Sequence, residues 1–256
     1  MINPQIKEGL EKQYPSGNLP EFTQRLKQEE VSIHPCFNCL RETENAVNKR
    51  YWKKFPKPLY YWYEMCDAES KEITKFLKEK KPKKILELGC GSGRIINILL
   101  KDKSIKEIFA VDKDNRMIEI VEPYFKGNKN VHIINQNIKD FLEKNGDFDL
   151  ALTMMNTFGN IDSLEIMELV AKHSKNLVFT VYDREYWKER ENIYKDRGHR
   201  DFDVKDKDYY FNDCWVKGLK SKSYTEEDLK KICEQIGKKY KIKKISVLLF
   251  LVYIYD

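Results

Sequence analysis

The sequence has no long apolar run. No stretch of its 256 residues approaches the roughly 18 uninterrupted apolar positions of a membrane-spanning helix, and its first residues, MINPQIKEGLEKQYPSG, lack an apolar core of signal-peptide length. No membrane partner is expected, and the cytoplasm is the expected location. Cysteine is scarce as well. Six residues, at 36, 39, 66, 90, 214 and 233, of which only the first two are close, exclude a disulfide framework and point to reduced thiols. The C-x-x-C of HPCFNC (34–39) has the spacing of half a zinc site, but no second pair follows at a useful distance, so no metal is expected. Repeats, low-complexity tracts and an obvious linker are also missing. One globular unit of ordinary α/β size, with embellishments, fits the length better than two full domains. Charge of one sign is not concentrated in a tail: the net charge is +6, but lysine and glutamate are spread through the chain, which makes a soluble surface.

What is present from about residue 83 to 182 is an alternation. The apolar runs KILEL (84–88), EIFAV (107–111), VHIIN (131–135), FDLALTM (148–154) and NLVFTVY (176–182) are separated by helical patterns, the signature of a parallel sheet covered on both faces. Met117, Ile118, Val121, Tyr124 and Phe125 form a helical core face that Pro123 is expected to kink or end. Leu229, Ile232, Cys233 and Ile236 repeat the pattern, with Thr225 and Asp228 as a capping box and Gly237 at the stop. The closing YKIKKISVLLFLVYIYD reads as strand, one or two, with no turn residue to divide it. Two segments stand outside the alternation: residues 1–75, expected as an N-terminal helical cover, and 183–223, an insertion after the fifth strand of the 76–256 domain. Both are candidate lids.

Within ILELGCGSGR (85–94) the first strand hands over to a helix, the position where open parallel sheets bind ligands. Glycines there let the backbone turn tightly and approach a ligand. A dinucleotide fingerprint would be G-x-G-x-x-G; here Gly89, Gly91 and Gly93 put the third glycine one position early, and Glu87 precedes them. A carboxylate at that spot repels a pyrophosphate and suits a cationic ligand.

With these residues the chain resembles the class I S-adenosylmethionine-dependent methyltransferases, whose first motif, acid-x-Gly-x-Gly-x-Gly, is matched by Glu87, Gly89, Gly91 and Gly93. The resemblance implies a doubly wound, mostly parallel seven-stranded sheet of order 3-2-1-4-5-7-6 with the seventh strand antiparallel. It also implies S-adenosylmethionine as cofactor and S-adenosylhomocysteine as product. It places Asp112, at the end of the second strand, on the ribose hydroxyls, Lys113 and Met117 near the adenine, and Asn137, where the family often has an acid, on the adenine amino group. The loop LTMMNTFGNI (152–161) would lie beneath the methionine half of the cofactor, with Met155 and Asn156 on the cofactor and Asn156, Thr157 and Phe158 exposed toward the acceptor. Its MNTF does not match the Asn or Asp followed by two prolines and an aromatic residue that base-amino methylases carry, and is similar to loops of small-molecule methyltransferases, including the glycine N-methyltransferase group.

Aromatic residues at RYWKKF (50–55) and PLYYWYEM (58–65), Tyr61 among them, are candidates to close the pocket over an amine, or else pack a helix on the sheet. In the insertion, Arg184, Arg197 and Arg200 are candidates for an acidic substrate group. Tyr182, Asp183 and His199 are candidate proton acceptors, because an amine must be neutral to attack. The basic runs KEKKPKK (78–84) and GKKYKIKK (237–244) immediately precede strands, at the end of the sheet away from the ligand crevice, so nucleic acid is not the expected partner. The leading expectation is methyl transfer to nitrogen or oxygen of a small-molecule acceptor. A protein or RNA methyltransferase is the alternative, and a non-catalytic cofactor-binding module comes last. Acceptor identity and oligomeric state are not legible in the sequence.

Overall fold

The computed structural model describes residues 57–196, 199, 201–212 and 218–256, with the backbone alone at 57–63, 120 and 196. Helix α1 (Lys57–Lys80) leads into a regular alternation: β1 (Lys84–Leu88), α2 (Arg94–Leu99), β2 (Glu107–Asp112), α3 (Asn115–Phe125), β3 (Val131–Asn135), α4 (Ile138–Leu142), β4 (Leu150–Thr153), α5 (Thr157–Ile161), α6 (Leu164–Lys172) and β5 (Asn176–Asp183). A 3-10 turn (Arg184–Tyr186) and α7 (Trp187–Asp196) follow, then β6 (Phe202–Lys205), β7 (Asp208–Phe211), β8 (Lys220–Ser221), β9 (Ser223–Tyr224), α8 (Glu226–Ile236), β10 (Lys239–Lys244) and β11 (Leu249–Tyr255). The boundary expected at residue 75 falls inside α1, which runs unbroken across it.

The main sheet has the order β10-β11-β5-β4-β1-β2-β3, with β11 antiparallel to both neighbours and the two-residue β9 added parallel to the end of β5. In sheet numbering this is 3-2-1-4-5-7-6, with β9 as an eighth strand. The closing segment is therefore two strands. The chain reverses at Ser246, whose hydroxyl accepts the Leu248 N–H at 3.2 Å, so a serine side chain does the work for which a glycine or proline was missing.

Central strands read as continuous apolar runs because helices cover both faces; every residue of β4 is buried. Leu86 and Leu88 pack with α4, α6 and α8, whereas Ile85 packs with Ile73, Phe76 and Leu77 of α1 and with α2 and α3. Each of those three α1 side chains contributes about 1.5–3 kcal/mol by leaving water. The period of two puts Glu87 on the Ile85 side, under α1 and α2. The same parity in β5 puts Thr180 and Tyr182 on that side.

Two local expectations are corrected. Pro123 does not end the helix: α3 continues to Phe125, held by fully buried Val121 and nearly buried Phe125, although Tyr124 stands 55% exposed. The run GKKYKIKK does not precede a strand; it largely is β10, the sheet edge, where exposed Lys239, Lys241 and Lys243 guard the open row of backbone groups against pairing.

The insertion folds as a unit. β6, β7 and β8 form a small antiparallel sheet, with Asp206 and Lys207, at φ 50° and 67°, making the hairpin turn. Tyr194, Ile193, Tyr209 and Phe211 of this unit pack on Met65 of α1, Tyr182 of β5 and Leu248–Leu249, so that the insertion sits over the C-terminal end of β5.

Candidate active site

The glycine loop connects β1 to α2 in left-handed conformations that side chains resist: φ is 63° at Gly89, 52° at Gly91 and 85° at Gly93. A β-carbon on Gly89 would lie 2.5 Å from Thr157 Cγ2, and one on Gly93 would lie 2.6 Å from the Phe125 ring; one on Gly91 would meet nothing within 4 Å. The first and third glycines thus let the loop close against α5 and α3, while Gly91 leaves bare backbone on an open side.

Glu87 is 3% exposed, and its Oε2 has no hydrogen-bond partner among the described residues. Burial pushes its carboxyl up to about 8; Arg94 opposes the shift, and the negative charges of Asp112 and Glu69 add to it. Asp112 is held at the tip of β2. Its Oδ2 accepts the Gly91 N–H at 3.0 Å and its Oδ1 the Asp114 N–H at 2.9 Å, and burial raises its carboxyl despite these bonds. The residue that caps α3 is Asp114, which accepts from Arg116 N–H, so Asp112 is not the helix cap. A carboxylate has about four acceptor positions, and the backbone bonds of Asp112 do not fill them all.

Of the remaining expected cofactor residues, Lys113 is exposed and Met117 half-buried at the start of α3, while Asn137 is exposed and spends its Oδ1 capping α4 through Lys139 N–H at 2.9 Å. Met155 and Asn156 both adopt positive φ, 48° and 61°, a local strain of about 1–3 kcal/mol each of the kind found at functional loops. Asn156 is not exposed as expected. At 1% exposure its Oδ1 accepts the Tyr182 N–H at 3.1 Å and its Nδ2 donates to Ser221 Oγ at 2.9 Å, which ties the β4 tip to β5 and to the insertion. Phe158, also expected on the acceptor side, is 2% exposed in the core, stacked on Tyr224 at 5.4 Å and edge-on to Phe179. It packs there because α5 turns its apolar face back onto the sheet.

The expected proton acceptors and arginines divide similarly. Asp183 is committed, with Oδ1 accepting Glu185 N–H and Oδ2 paired with Lys244 Nζ at 2.7 Å. Tyr182 is 3% exposed in the cluster beneath the insertion, and the His199 ring lies 4.8 Å from that of Phe211. Arg184 binds the Ser223 carbonyl at 2.9 Å and faces Asp228, so it braces β9 and α8. Arg197 and Arg200, the Tyr61 side chain and the HPCFNC segment lie outside the described residues. Among the described residues, no group of three or more His, Cys, Asp or Glu could hold a metal, and no helix is long and apolar enough to cross a membrane.

Sequence reasoning missed Glu69. Fully buried on α1, it pairs with the Arg94 guanidinium, accepts from the Thr180 hydroxyl and accepts the Met155 N–H at 2.8 Å. One carboxylate thereby ties α1, the end of the glycine loop, β5 and the strained β4 tip together. The signal was an acid inside the helical stripe Met65, Glu69, Ile73, Phe76.

A bare glycine loop, an orphaned buried carboxylate and a second carboxylate at the tip of β2, at the C-terminal ends of a 3-2-1-4-5-7-6 sheet, define a class I S-adenosylmethionine-dependent methyltransferase. Residues 61–240 match the family model described as a methyltransferase domain, and the chain belongs to that family. It is similar to ribosomal RNA small subunit methyltransferase A of Mesomycoplasma hyopneumoniae (strain 232), 44% identical over 62 residues, which are 24% of this chain and 22% of that relative. The match thus spans about a fifth of that relative's length. Among solved structures, it is similar to the methyltransferase domain of bacterial-CtHen1-CN (16% identity, 75% of this chain and 100% of that chain, TM-score 0.54). It is also similar to an S-adenosylmethionine-dependent methyltransferase from Clostridium acetobutylicum ATCC 824 (18%, 85% and 100%, 0.51). A third is the plantazolicin methyltransferase BpumL in complex with S-adenosylhomocysteine (14%, 91% and 98%, 0.53). At these identities the likeness is one of fold.

Proposed function

We propose that the protein transfers a methyl group from S-adenosylmethionine to nitrogen or oxygen of a small molecule that binds between the β4–β5 tips and the insertion. The observation that carries the acceptor class is the insertion itself. α7 and the small sheet cover the C-terminal end of β5 with packed aromatic side chains, a cover that leaves this end of the sheet better suited to a small acceptor than to a macromolecule.

The buried Glu87 Oε2 and the open face of Gly91 fit the ammonium group of the cofactor's amino-acid end, and the remaining acceptor capacity of Asp112 fits a ribose hydroxyl. When bound, the cofactor supplies a methyl group already activated by its sulfonium. The chain's part is to orient the acceptor and exclude water. Glu69 fixes the β4 tip, Asn156 fixes Tyr182 to it, and the insertion keeps solvent out. Asp183 is committed to Lys244, and Tyr182 and His199, beside the aromatic side chains of the insertion, are the candidates to take a proton from an amine acceptor.

RNA is the second reading, favoured by the 62-residue similarity to a ribosomal RNA methyltransferase. Incubating the protein with label-bearing S-adenosylmethionine and cell extract, then separating metabolites, protein and nucleic acid, decides between them. Label in the metabolite fraction is expected; label in RNA or protein would overturn the acceptor class.

A further inference from the structure

Arg190, on α7, has no role in the site as described so far. Its side chain is completely buried, with the guanidinium centre 4.6 Å from the Tyr209 ring centroid and 5.2 Å from that of Tyr182. Nη2 donates to the Lys207 carbonyl, but among the described residues Nε and Nη1 are buried without a partner. The acids nearby are engaged elsewhere: Glu191 pairs with Lys195 and Asp208 accepts the Ser223 N–H at 2.8 Å. A guanidinium keeps its charge, and no described residue gives it a counter-charge, without which burial costs several kcal/mol. Contact with two ring faces offsets part of that cost and leaves two donors unused.

The place is also informative. Tyr182 ends β5 on the face of the sheet that carries Glu87 and Thr180, and the Met155 tip of β4 packs on the same aromatic cluster. The cation is therefore held at the acceptor side of the reaction crevice, not on the outer surface of the insertion.

We propose that Arg190 is the recognition point for a carboxylate on the methyl acceptor, which makes the substrate a small monocarboxylate with an apolar or aromatic body. This rests on the methyltransferase reading for the word substrate, although the anion site itself does not. One guanidinium in an apolar enclosure neutralises one negative charge; a phosphate dianion would bring a second charge with nothing to balance it. Tyr182, Tyr209 and Tyr194 supply flat apolar surface around the charge, and full burial strengthens any hydrogen bond formed to it. Because Arg190 is fully covered, the small sheet has to part from α7 to admit the ligand, so association should be slower than the roughly 10⁵–10⁷ M⁻¹s⁻¹ of unhindered docking.

The test titrates the full chain, with and without S-adenosylhomocysteine, with benzoate, acetate and inorganic phosphate by calorimetry, for the wild type and for Arg190→Met. The expected result is benzoate binding to the wild type in preference to phosphate. In Arg190→Met that binding should be weaker by roughly 10- to 100-fold, the scale of a lost charged hydrogen bond, with S-adenosylhomocysteine affinity unchanged. Where the methionine variant does not fold, Arg190→Lys, which keeps the charge but loses the planar fork, should also weaken benzoate. Absence of carboxylate binding to the wild type, equal binding to the variant, or a preference for phosphate would overturn the proposal. Benzoate binding without any S-adenosylhomocysteine binding would instead overturn the methyltransferase reading and leave the anion site standing.

Discussion

Binding of S-adenosylhomocysteine at pH 7 should release close to one proton, and Glu87 is its source. The carboxyl sits near 8 because it is buried with Oε2 unpartnered, so at pH 7 about nine-tenths of the free protein carries it protonated. A cationic amino group placed against it favours the ionised form and returns it toward the usual 4.5, a change worth up to about 5 kcal/mol at 1.36 kcal/mol per unit. The affinity should then rise by up to about tenfold per pH unit below 8 and level off above it. The same shift acts on the fold with a definite sign. Between about 4.5 and 8 the folded protein holds a proton that the unfolded chain has lost, so the stability of the free protein falls as pH rises through that window and is flat beyond it. Calorimetry in buffers of different ionisation enthalpy counts the released protons, and thermal melts from pH 5 to 9 follow the stability. Glu87→Gln should abolish both the proton release and the pH slope, which also subtracts any contribution of the ligand's own amine. Equal proton release by wild type and variant would refute this assignment of Glu87.

Four substitutions test the scaffold around it. Gly93→Ala meets both a left-handed φ and the Phe125 and Val121 side chains, and should cost about 2–4 kcal/mol in denaturant melts. Gly127→Ala, with φ 86° and open space, should cost only about 1–2 kcal/mol, so equal losses would mean that packing at Gly93 is irrelevant. Glu69→Gln leaves Arg94 buried without its counter-charge and should destabilise by about 3–5 kcal/mol; an unchanged melt would remove Glu69 as the hub. Asn156→Ala orphans the buried Tyr182 N–H and should cost about 1–3 kcal/mol, with methyl transfer falling as the β5 tip loosens; full stability and turnover would contradict the positioning role.

The glycine stretch, the acid at the end of β2 and the alternation of strands and helices were legible because each is written in local pattern: continuous apolar runs, glycines at strand ends, a capping box before Leu229; the strand order came from the family resemblance those residues carry. Glu69 was not, since nothing local announces that an acid on one helix stripe meets Arg94, Thr180 and Met155 N–H from three other elements. Phe158 and Asn156 were misplaced for a related reason. A loop sequence shows which residues are available, but the left-handed turn at Met155 and Asn156 decides which of them point inward. The hairpin of β6 and β7 turns at Asp-Lys without a glycine, and the β10–β11 reversal relies on Ser246, so neither carries the usual turn signal. Arg190 drew no notice in the sequence because its meaning lies in its surroundings, two tyrosine rings and, among the described residues, no paired carboxylate.

The most direct test of the cofactor site is calorimetric titration of S-adenosylhomocysteine into the wild type and into Asp112→Ala. One site per chain is expected, weakened in the variant by about 1.5–3 kcal/mol, or roughly 10- to 150-fold, as the hydrogen bonds to a charged group are lost. No binding by the wild type, or the same affinity in both proteins, would contradict the placement of the adenosyl cofactor between the glycine loop and Asp112.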